Sequence, residues 1–142
     1  RSSRTVSLYL ESAIDRFYPH VRQLSNESEF LYDKIFRLSA EEDIIIIFSA
    51  WPCTKRTIDV SAICRDRHVP IILVTNTSLN PIARYADIVI DTNSVNSGCG
   101  ILPLMFIAEA LTAELARRLG LDSMKILEEL ESELDKADVF MR

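Results

Sequence analysis

The feature that most constrains the fold is a run of five consecutive apolar residues, Ile44 to Phe48, which ends at the hydroxyl of Ser49. Such a run predicts a strand that is buried on both faces, as the strands of a parallel sheet usually are. Five residues after Ser49 comes a second hydroxyl residue, Thr54, and Lys55 and Arg56 then open a helical pattern. The sequence therefore predicts a buried strand that leads through a short polar loop into the N-terminus of a helix.

This polar loop has the composition of an anion-binding site. The first N–H groups of a helix have no partner within the helix, and the helix dipole favours negative charge at that end. In open α/β sheets, ligands also bind at the carboxyl ends of the strands. Two hydroxyl residues and two cations at such a place indicate a phosphate ligand. The alternative interpretation is a strand–helix turn with an ordinary N-cap.

Length and composition exclude several classes of protein. The chain has 142 residues, enough for one domain with a proper core, and a net charge of −5. No basic run is longer than two residues, so we do not expect the chain itself to bind DNA or RNA. No stretch has the length and apolarity of a membrane span, and no signal peptide is visible. Cys53, Cys64 and Cys99 fit neither a disulfide framework nor a zinc site, so we expect a cytoplasmic protein without metal or cofactor.

Strand and helix patterns alternate along the chain, which predicts an α/β fold with a parallel sheet. The expected architecture is a three-layer sandwich in which helices flank a mainly parallel sheet, in a single domain over residues 1–142. Because βαβ units are right-handed, a strand should precede the first helix, and we expect it to be missing from this chain. One predicted strand begins at 43, and two others cover 69–74 and 87–90. Predicted helices cover 3–18, 54–67, 81–85, 101–119 and 122–138, and a further helix carries Phe30 to Leu38. Ser25 or Asn26 is the expected cap of that further helix, Asp122 or Ser123 is the expected cap of the last one, and Ile58, Ala62 and Ile63 are expected to face inward from the helix over 54–67.

The segment from Ile101 to Leu119 is apolar on almost every side. This pattern predicts a helix that is buried both against its own sheet and against a partner subunit, so we expect a homodimer or a higher homo-oligomer. Glu109 lies inside this apolar segment, and a carboxylate in such surroundings needs a partner. An arginine or a backbone cap is the expected partner, and a ligand or a neighbouring subunit is the alternative.

Three stretches of the chain resemble the sugar isomerase (SIS) domain, and within that group the effector domain of RpiR-type bacterial transcription regulators. Residues 3–7, Ser-Arg-Thr-Val-Ser, match the second half of the family's first motif, whose glycines would lie upstream. Residues 49–54, Ser-Ala-Trp-Pro-Cys-Thr, keep the outer hydroxyls of the second motif, Ser-x-Ser-Gly-x-Thr. Residues 75–90, with their proline-led short helix and Ala-Asp pair before a strand, match the third motif closely.

The resemblance implies a site for the phosphate of a phosphosugar at the hydroxyls of the first two motifs. By position these hydroxyls belong to Ser3, Ser49 and Thr54. The chain departs from the family where Trp51 and Pro52 replace the central Ser-Gly pair. Pro52 has no N–H to donate, whereas the Trp51 indole supplies stacking area and one donor. Trp51 is therefore expected to cover the sugar, and the alternative is that it anchors the loop in the core.

Other residues complete the expected site. Lys55, together with Arg56, offers positive charge where the motif has lost a donor. Further candidates are Thr75 and Asn76, which follow the second apolar strand, and Glu109.

The resemblance implies a phosphosugar-sensing domain of a transcription regulator, which would contact DNA only through an upstream domain. Isomerases of the same family need a general base, commonly Glu or His. His20 and His68 are predicted to be turn residues, and no second acid or base stands beside Glu109. We therefore predict a binding domain without catalytic residues. A free-standing phosphosugar isomerase, a sugar-phosphate-binding protein and a dimerising module that has lost its site are the alternatives.

Overall fold

The computed structural model describes residues 3–24 and 30–137, and the side chains of all of these except residues 121–123. Helices and strands alternate as the sequence predicts. The elements are α1 (Ser3–Asp15), α2 (Leu31–Phe36), β1 (Ile45–Ser49), α3 (Lys55–Asp66), β2 (Ile71–Thr75), a 3-10 helix (Pro81–Tyr85), β3 (Ile88–Asp91), α4 (Leu102–Leu119) and α5 (Leu121–Lys136).

The three strands form one parallel sheet in the order β1-β2-β3. Ser49 at the end of β1 pairs in register with Thr75 of β2, and Thr75 pairs with Asp91 of β3. The three strands therefore end side by side, and their polar last residues define what we call the carboxyl edge of the sheet. This arrangement confirms the predicted α/β fold with a parallel sheet.

Alternate strand residues pack into two separate cores, which gives the molecule three layers. Ile47 and Leu73 face α2, α3 and the 3-10 helix, whereas their neighbours Phe48 and Val74 face α1 and α4. The period of two follows from the pleat of a strand, which sends successive side chains to opposite faces. The predicted three-layer sandwich is thus confirmed for the described residues.

Several helices and strands begin or end at other residues than the sequence predicts. Ile44 precedes β1 and is 58% exposed, because the buried part of the apolar run begins further along. Helix α1 stops at Asp15, and α2 starts only at Leu31. The predicted caps Ser25 and Asn26 lie outside the described residues. Helix α5 begins at Leu121, so that residues 122 and 123 lie in its first turn instead of capping it.

The face of α3 that contacts the sheet also differs from the prediction. Its buried residues are Val60, Ser61 and Cys64, whereas Ile58 and Ile63 are only half-buried at the margins. A stripe at these spacings is one face of a helix. Ser61 can lie in this core because its hydroxyl donates a hydrogen bond to the carbonyl of Thr57 at 2.7 Å.

Helix α4 is buried on one side only within a single chain. Leu104 and Ala108 pack into the core with α1, whereas Leu102 and Phe106 are 69% and 73% exposed. The predicted contact with its own sheet layer is therefore present, and the predicted contact with a partner subunit stays a prediction. Among the described helices, none combines the length and the apolarity that a membrane crossing requires.

Candidate functional site

The loop between β1 and α3 brings together the central candidate residues. Ser49 is buried at the end of β1, and Thr54 is the exposed N-cap of α3. The Thr54 hydroxyl accepts a hydrogen bond from the Thr57 N–H at 3.3 Å and hydrogen-bonds to the Thr57 hydroxyl at 2.8 Å. Lys55, the first residue of the helix, is exposed beside this cap. The loop thus presents the Thr54 hydroxyl and the Lys55 ammonium group at a helix N-terminus, where negative charge is favoured, whereas the Ser49 hydroxyl is buried beneath it.

Arg56 contributes less to this loop than the sequence suggests. Its guanidinium lies over the Tyr32 ring, 5.7 Å from the ring centroid. The charge is therefore directed towards α2, whereas Lys55 is exposed beside the loop.

The N-terminus of α1 meets the same loop. The Ser3 hydroxyl oxygen accepts a hydrogen bond from the Ala50 N–H at 3.4 Å. Ser3 is the first residue of α1, so the starts of α1 and α3 lie around one loop. The structure therefore places Ser3 at the loop that carries Ser49 and Thr54, although Ser3 lies far from both in the sequence.

Two of the further candidates lie beneath this loop. Thr75 is fully buried, and its hydroxyl donates to the Ser49 carbonyl at 2.8 Å. The side-chain oxygen of Asn76 accepts the Trp51 N–H at 2.7 Å. Both residues tie the end of β2 to the β1–α3 loop, and direct contact of either with a ligand stays a prediction.

Trp51 lies at the surface of the site. The residue is 49% exposed and is joined to Pro52 by a cis peptide bond. This exposure contradicts the alternative that Trp51 anchors the loop in the core. Cys53, by contrast, is half-buried against the core formed with α2 and α3, where it fills space.

Glu109 lies away from the loop and has a different partner from those expected. Its carboxylate accepts a short hydrogen bond from the Tyr9 hydroxyl, so α1 and α4 are joined by a tyrosine and not by an arginine or a backbone cap. This hydrogen bond is the main reason why the pKa of Tyr9 is raised. Glu109 lies seven residues beyond the start of α4, about 10 Å along the helix axis. It therefore stands apart from the hydroxyls at the carboxyl edge.

Sequence reasoning missed two parts of the polar edge. The first is Asn80, a buried residue whose amide contacts both Ser49 and Thr75. Its place before Pro81, at the start of the 3-10 helix, was the available signal, since Asn is a common N-cap. The second is the loop after β3, where the Thr92 and Ser94 hydroxyls hydrogen-bond to each other at 2.7 Å.

The arrangement is suited to binding an anion through neutral donors and one lysine. Within residues 3–24 and 30–137, no three side chains of His, Cys, Asp or Glu are grouped as metal ligands would be.

Comparison with known proteins places this geometry in a family. The SIS domain model matches residues 1–116. The structure is similar to the sugar isomerase domain of an RpiR transcription factor from Sphaerobacter thermophilus, with a TM-score of 0.77 and 24% identity over 91% of this chain and 73% of that chain. It is also similar to the Vibrio vulnificus NanR protein complexed with ManNAc-6P, with a TM-score of 0.77 and 14% identity over 96% of this chain and 53% of that chain.

A comparison with curated protein sequences finds no match. At these identities the two structural similarities establish the fold alone, whereas the family model covers most of the chain. The chain therefore belongs to the SIS domain family.

Proposed function

We propose that this chain is the phosphosugar-binding effector domain of an RpiR-type transcription regulator. Membership of the SIS family supports the proposal, and one structural neighbour is the sugar isomerase domain of an RpiR transcription factor. The other neighbour was solved with a sugar phosphate, ManNAc-6P. The chain itself has a net charge of −5, so contact with DNA is assigned to a further domain.

The observation that carries the proposal is the meeting of two helix N-termini at one loop. Ser3 at the start of α1 contacts Ala50, and Thr54 and Lys55 begin α3 on the other side of the same loop. Both helix dipoles place partial positive charge at this point. A phosphate placed here would contact the Ser3 and Thr54 hydroxyls and the ammonium group of Lys55.

The half-exposed indole of Trp51 gives the site a second part. A sugar ring joined to the bound phosphate would lie against the apolar face of Trp51. Hydrogen bonds to a charged phosphate contribute about 1.5–3 kcal/mol each, more than the about 1 kcal/mol of a neutral contact. Phosphate therefore provides most of the affinity, and the sugar provides selectivity.

Binding without turnover fits the positions of the acid and base groups. His68 lies between α3 and β2, at the edge of the sheet opposite the site, and is exposed. Glu109 on α4 is hydrogen-bonded to Tyr9 on α1. His68 lies at the opposite edge and Glu109 already has a hydrogen-bond partner, so we assign no catalytic residue.

The proposal includes a homodimer in which α4 contacts a second copy. Leu102 and Phe106 expose large apolar side chains on one face of α4, and such patches commonly mark interaction surfaces. Sedimentation at micromolar concentration should give a dimer, and Phe106→Glu should shift it to monomer. A clean wild-type monomer would count against this part of the proposal.

We assign residues 1–142, including α4 and α5, to one domain and place the protein in the cytoplasm. All three cysteines are free, and Cys64 is buried with its pKa raised to about 11 by burial. Free cysteines suit a reducing compartment.

A thermal-shift screen against a panel of phosphosugars tests the proposed function. A ligand at a hundred times its dissociation constant stabilises the folded state by about 2.7 kcal/mol. Each phosphosugar is compared with the same sugar without phosphate, which should give a much smaller shift. If no phosphosugar raises the Tm, the binding proposal is wrong. If NMR shows that a bound phosphosugar is converted to its isomer, the protein is an enzyme and not a sensor.

A further inference from the structure

Two buried asparagines hold the loops at the carboxyl edge together. The side-chain amide N–H groups of Asn80 donate to the Ser49 carbonyl at 2.9 Å and to the Thr75 hydroxyl at 3.1 Å, with a longer contact of 3.3 Å to the Ser49 hydroxyl. Its amide oxygen accepts the Ile82 N–H at 3.1 Å. Asn80 is only 2% exposed, so every one of these groups is paired within the protein.

Asn76 fixes the other side of the same loop. Its side-chain oxygen accepts the Trp51 N–H at 2.7 Å, and its backbone carbonyl accepts the Ser94 N–H at 3.0 Å. The residue is therefore a junction between the β1–α3 loop and the loop that leads from β3 to α4. The Trp51 side chain is exposed, yet its backbone N–H is held by the hydrogen bond to Asn76.

The chemistry of the amide suits this position better than a charged group would. An asparagine side chain offers both donors and an acceptor without net charge. A carboxylate here would add negative charge beneath a loop that presents Lys55 and a helix N-terminus, and would oppose an anion. The uncharged amides therefore hold the loop through hydrogen bonds without repelling an anionic ligand.

We propose that Asn76 and Asn80 are positioning residues that hold the Ala50–Thr54 loop in its ligand-binding shape before the ligand arrives. A loop that is already ordered loses less conformational entropy on binding, so it binds more tightly than a mobile one. The effect on affinity rests on the proposed function, whereas the effect on the loop does not.

Hydrogen exchange of the Trp51 amide, measured by NMR without ligand, tests the effect on the loop. Asn76→Ala removes the acceptor and should speed this exchange at least about fivefold, the loss expected for one neutral hydrogen bond. Asn76→Asp keeps an acceptor oxygen and should restore slow exchange. Asn96→Ala, a change at an exposed position in the loop after β3, is the matched control and should have no effect. If the exchange of the Trp51 amide is unchanged in Asn76→Ala, the inference is overturned. This test uses Asn76 alone, so it remains decisive even if Asn80→Ala fails to fold.

Titration with the best phosphosugar of the panel tests the effect on affinity. Asn76→Ala should weaken binding about fivefold while the protein stays folded. Asn76→Asp should weaken it further although its loop is ordered, because the carboxylate repels the phosphate. A merely structural role would lower the Tm of both variants and leave the affinity of the folded protein unchanged, which would overturn the inference. If the wild type binds no phosphosugar, the proposed function fails, and the exchange experiment still decides whether Asn76 orders the loop.

Discussion

The two edges of the sheet are built from different kinds of polar group. At the carboxyl edge the buried polar side chains are neutral, and they belong to Ser49, Thr75, Asn76 and Asn80. At the opposite, amino edge, Asp87 accepts the Ile71 N–H at 2.8 Å and an Arg65 N–H at 2.6 Å. Arg67 on the same side donates to the Phe36 carbonyl at 2.9 Å.

The direction of the helices explains this difference. Helix α3 follows β1, so its N-terminus lies at the carboxyl edge and its C-terminus at the amino edge. Cations are favoured at helix C-termini, and Arg65 and Arg67 occupy that place. At the amino edge Arg65 is therefore paired with Asp87, and Arg67 is hydrogen-bonded to a backbone carbonyl.

The carboxyl edge has a different balance. The Asp91 carboxylate, on the outer strand β3, accepts the N–H groups of Ser78 and Asn93 at 2.7 Å each. Lys55 is exposed beside the β1–α3 loop, and the helix dipole there favours an anion. The amino edge therefore carries an ion pair within the chain, whereas the carboxyl edge presents an exposed lysine and helix N-termini, to which we assign the proposed charged ligand.

Removing the Thr54 hydroxyl should have the largest effect on the binding of this ligand. Thr54→Ala loses a hydrogen bond to phosphate worth about 1.5–3 kcal/mol, so phosphosugar affinity should fall at least about tenfold. The fall should exceed that of Asn76→Ala, since Asn76 acts through the loop. Isothermal titration calorimetry measures both.

The matched control is Thr54→Ser, which keeps both the hydroxyl and the N-cap of α3. It should bind within a few-fold of the wild type. Equal and small effects of the two alanine variants would remove Thr54 from the phosphate site and weaken the contrast between the edges.

A change at the amino edge should affect stability and leave ligand binding alone. Asp87→Ala leaves the buried Ile71 N–H without its acceptor, so the Tm should fall by several degrees. Asp87→Asn keeps an acceptor oxygen and should lose less. A loss of phosphosugar affinity in folded Asp87→Asn would show that the two edges are not independent.

The Asp87 carboxylate should also make the stability of the fold depend on pH. The Ile71 N–H, followed by Arg65, lowers the pKa of Asp87 below its ordinary 3.8. The folded state therefore favours the charged form, and this stabilisation is present above the ordinary pKa and is lost as the pH falls through the lowered one. The free energy of unfolding, measured by circular dichroism at a series of acidic pH values, should therefore differ between the wild type and Asp87→Asn, and this difference should be smallest at the lowest pH.

Local pattern was enough to predict the layers and the edge where polar residues meet. The apolar run at 44–48 and the strand that ends at Thr75 fix a parallel pair, and parallel strands end at one edge. Ser49, Trp51 and Thr54 lie within six consecutive residues, so the sequence alone placed them at the end of one strand and in the loop that follows it. Their surroundings follow from hydrophobic periodicity, which is a local property.

The partners of individual side chains could not be predicted in the same way. Trp51 and Asn76 are 25 residues apart, and Tyr9 and Glu109 are 100 apart. Whether such pairs meet depends on strand register and on the crossing of helices, neither of which a local pattern records. The local pattern predicted Thr75 and Asn76 as ligand residues, but it could not predict that the Thr75 hydroxyl donates to the Ser49 carbonyl or that the Asn76 side-chain oxygen accepts the Trp51 N–H.

The fluorescence of the Trp51 indole should show the smallest of the expected effects, but it reports directly on the carboxyl edge. It is the only tryptophan of the chain and is 49% exposed, so its emission reports on this loop alone. If the sugar ring lies against it, a phosphosugar should shift the emission to shorter wavelength and saturate with concentration. The same sugar without phosphate should do much less, because charge-assisted contacts dominate the affinity.

Inorganic phosphate separates the two parts of the site in the same titration. If it contacts Ser3 and Thr54 as proposed, it should raise the Tm. It should leave the Trp51 emission unchanged, because no sugar ring covers the indole. Thr54→Ala should move the phosphosugar titration to higher concentration at the same final amplitude. A phosphosugar that raises the Tm without any change in emission would show that the ligand does not reach Trp51. The carboxyl edge would then bind phosphate through its helix N-termini alone, and selectivity for the sugar would have to come from the Thr92–Ser94 side of the edge.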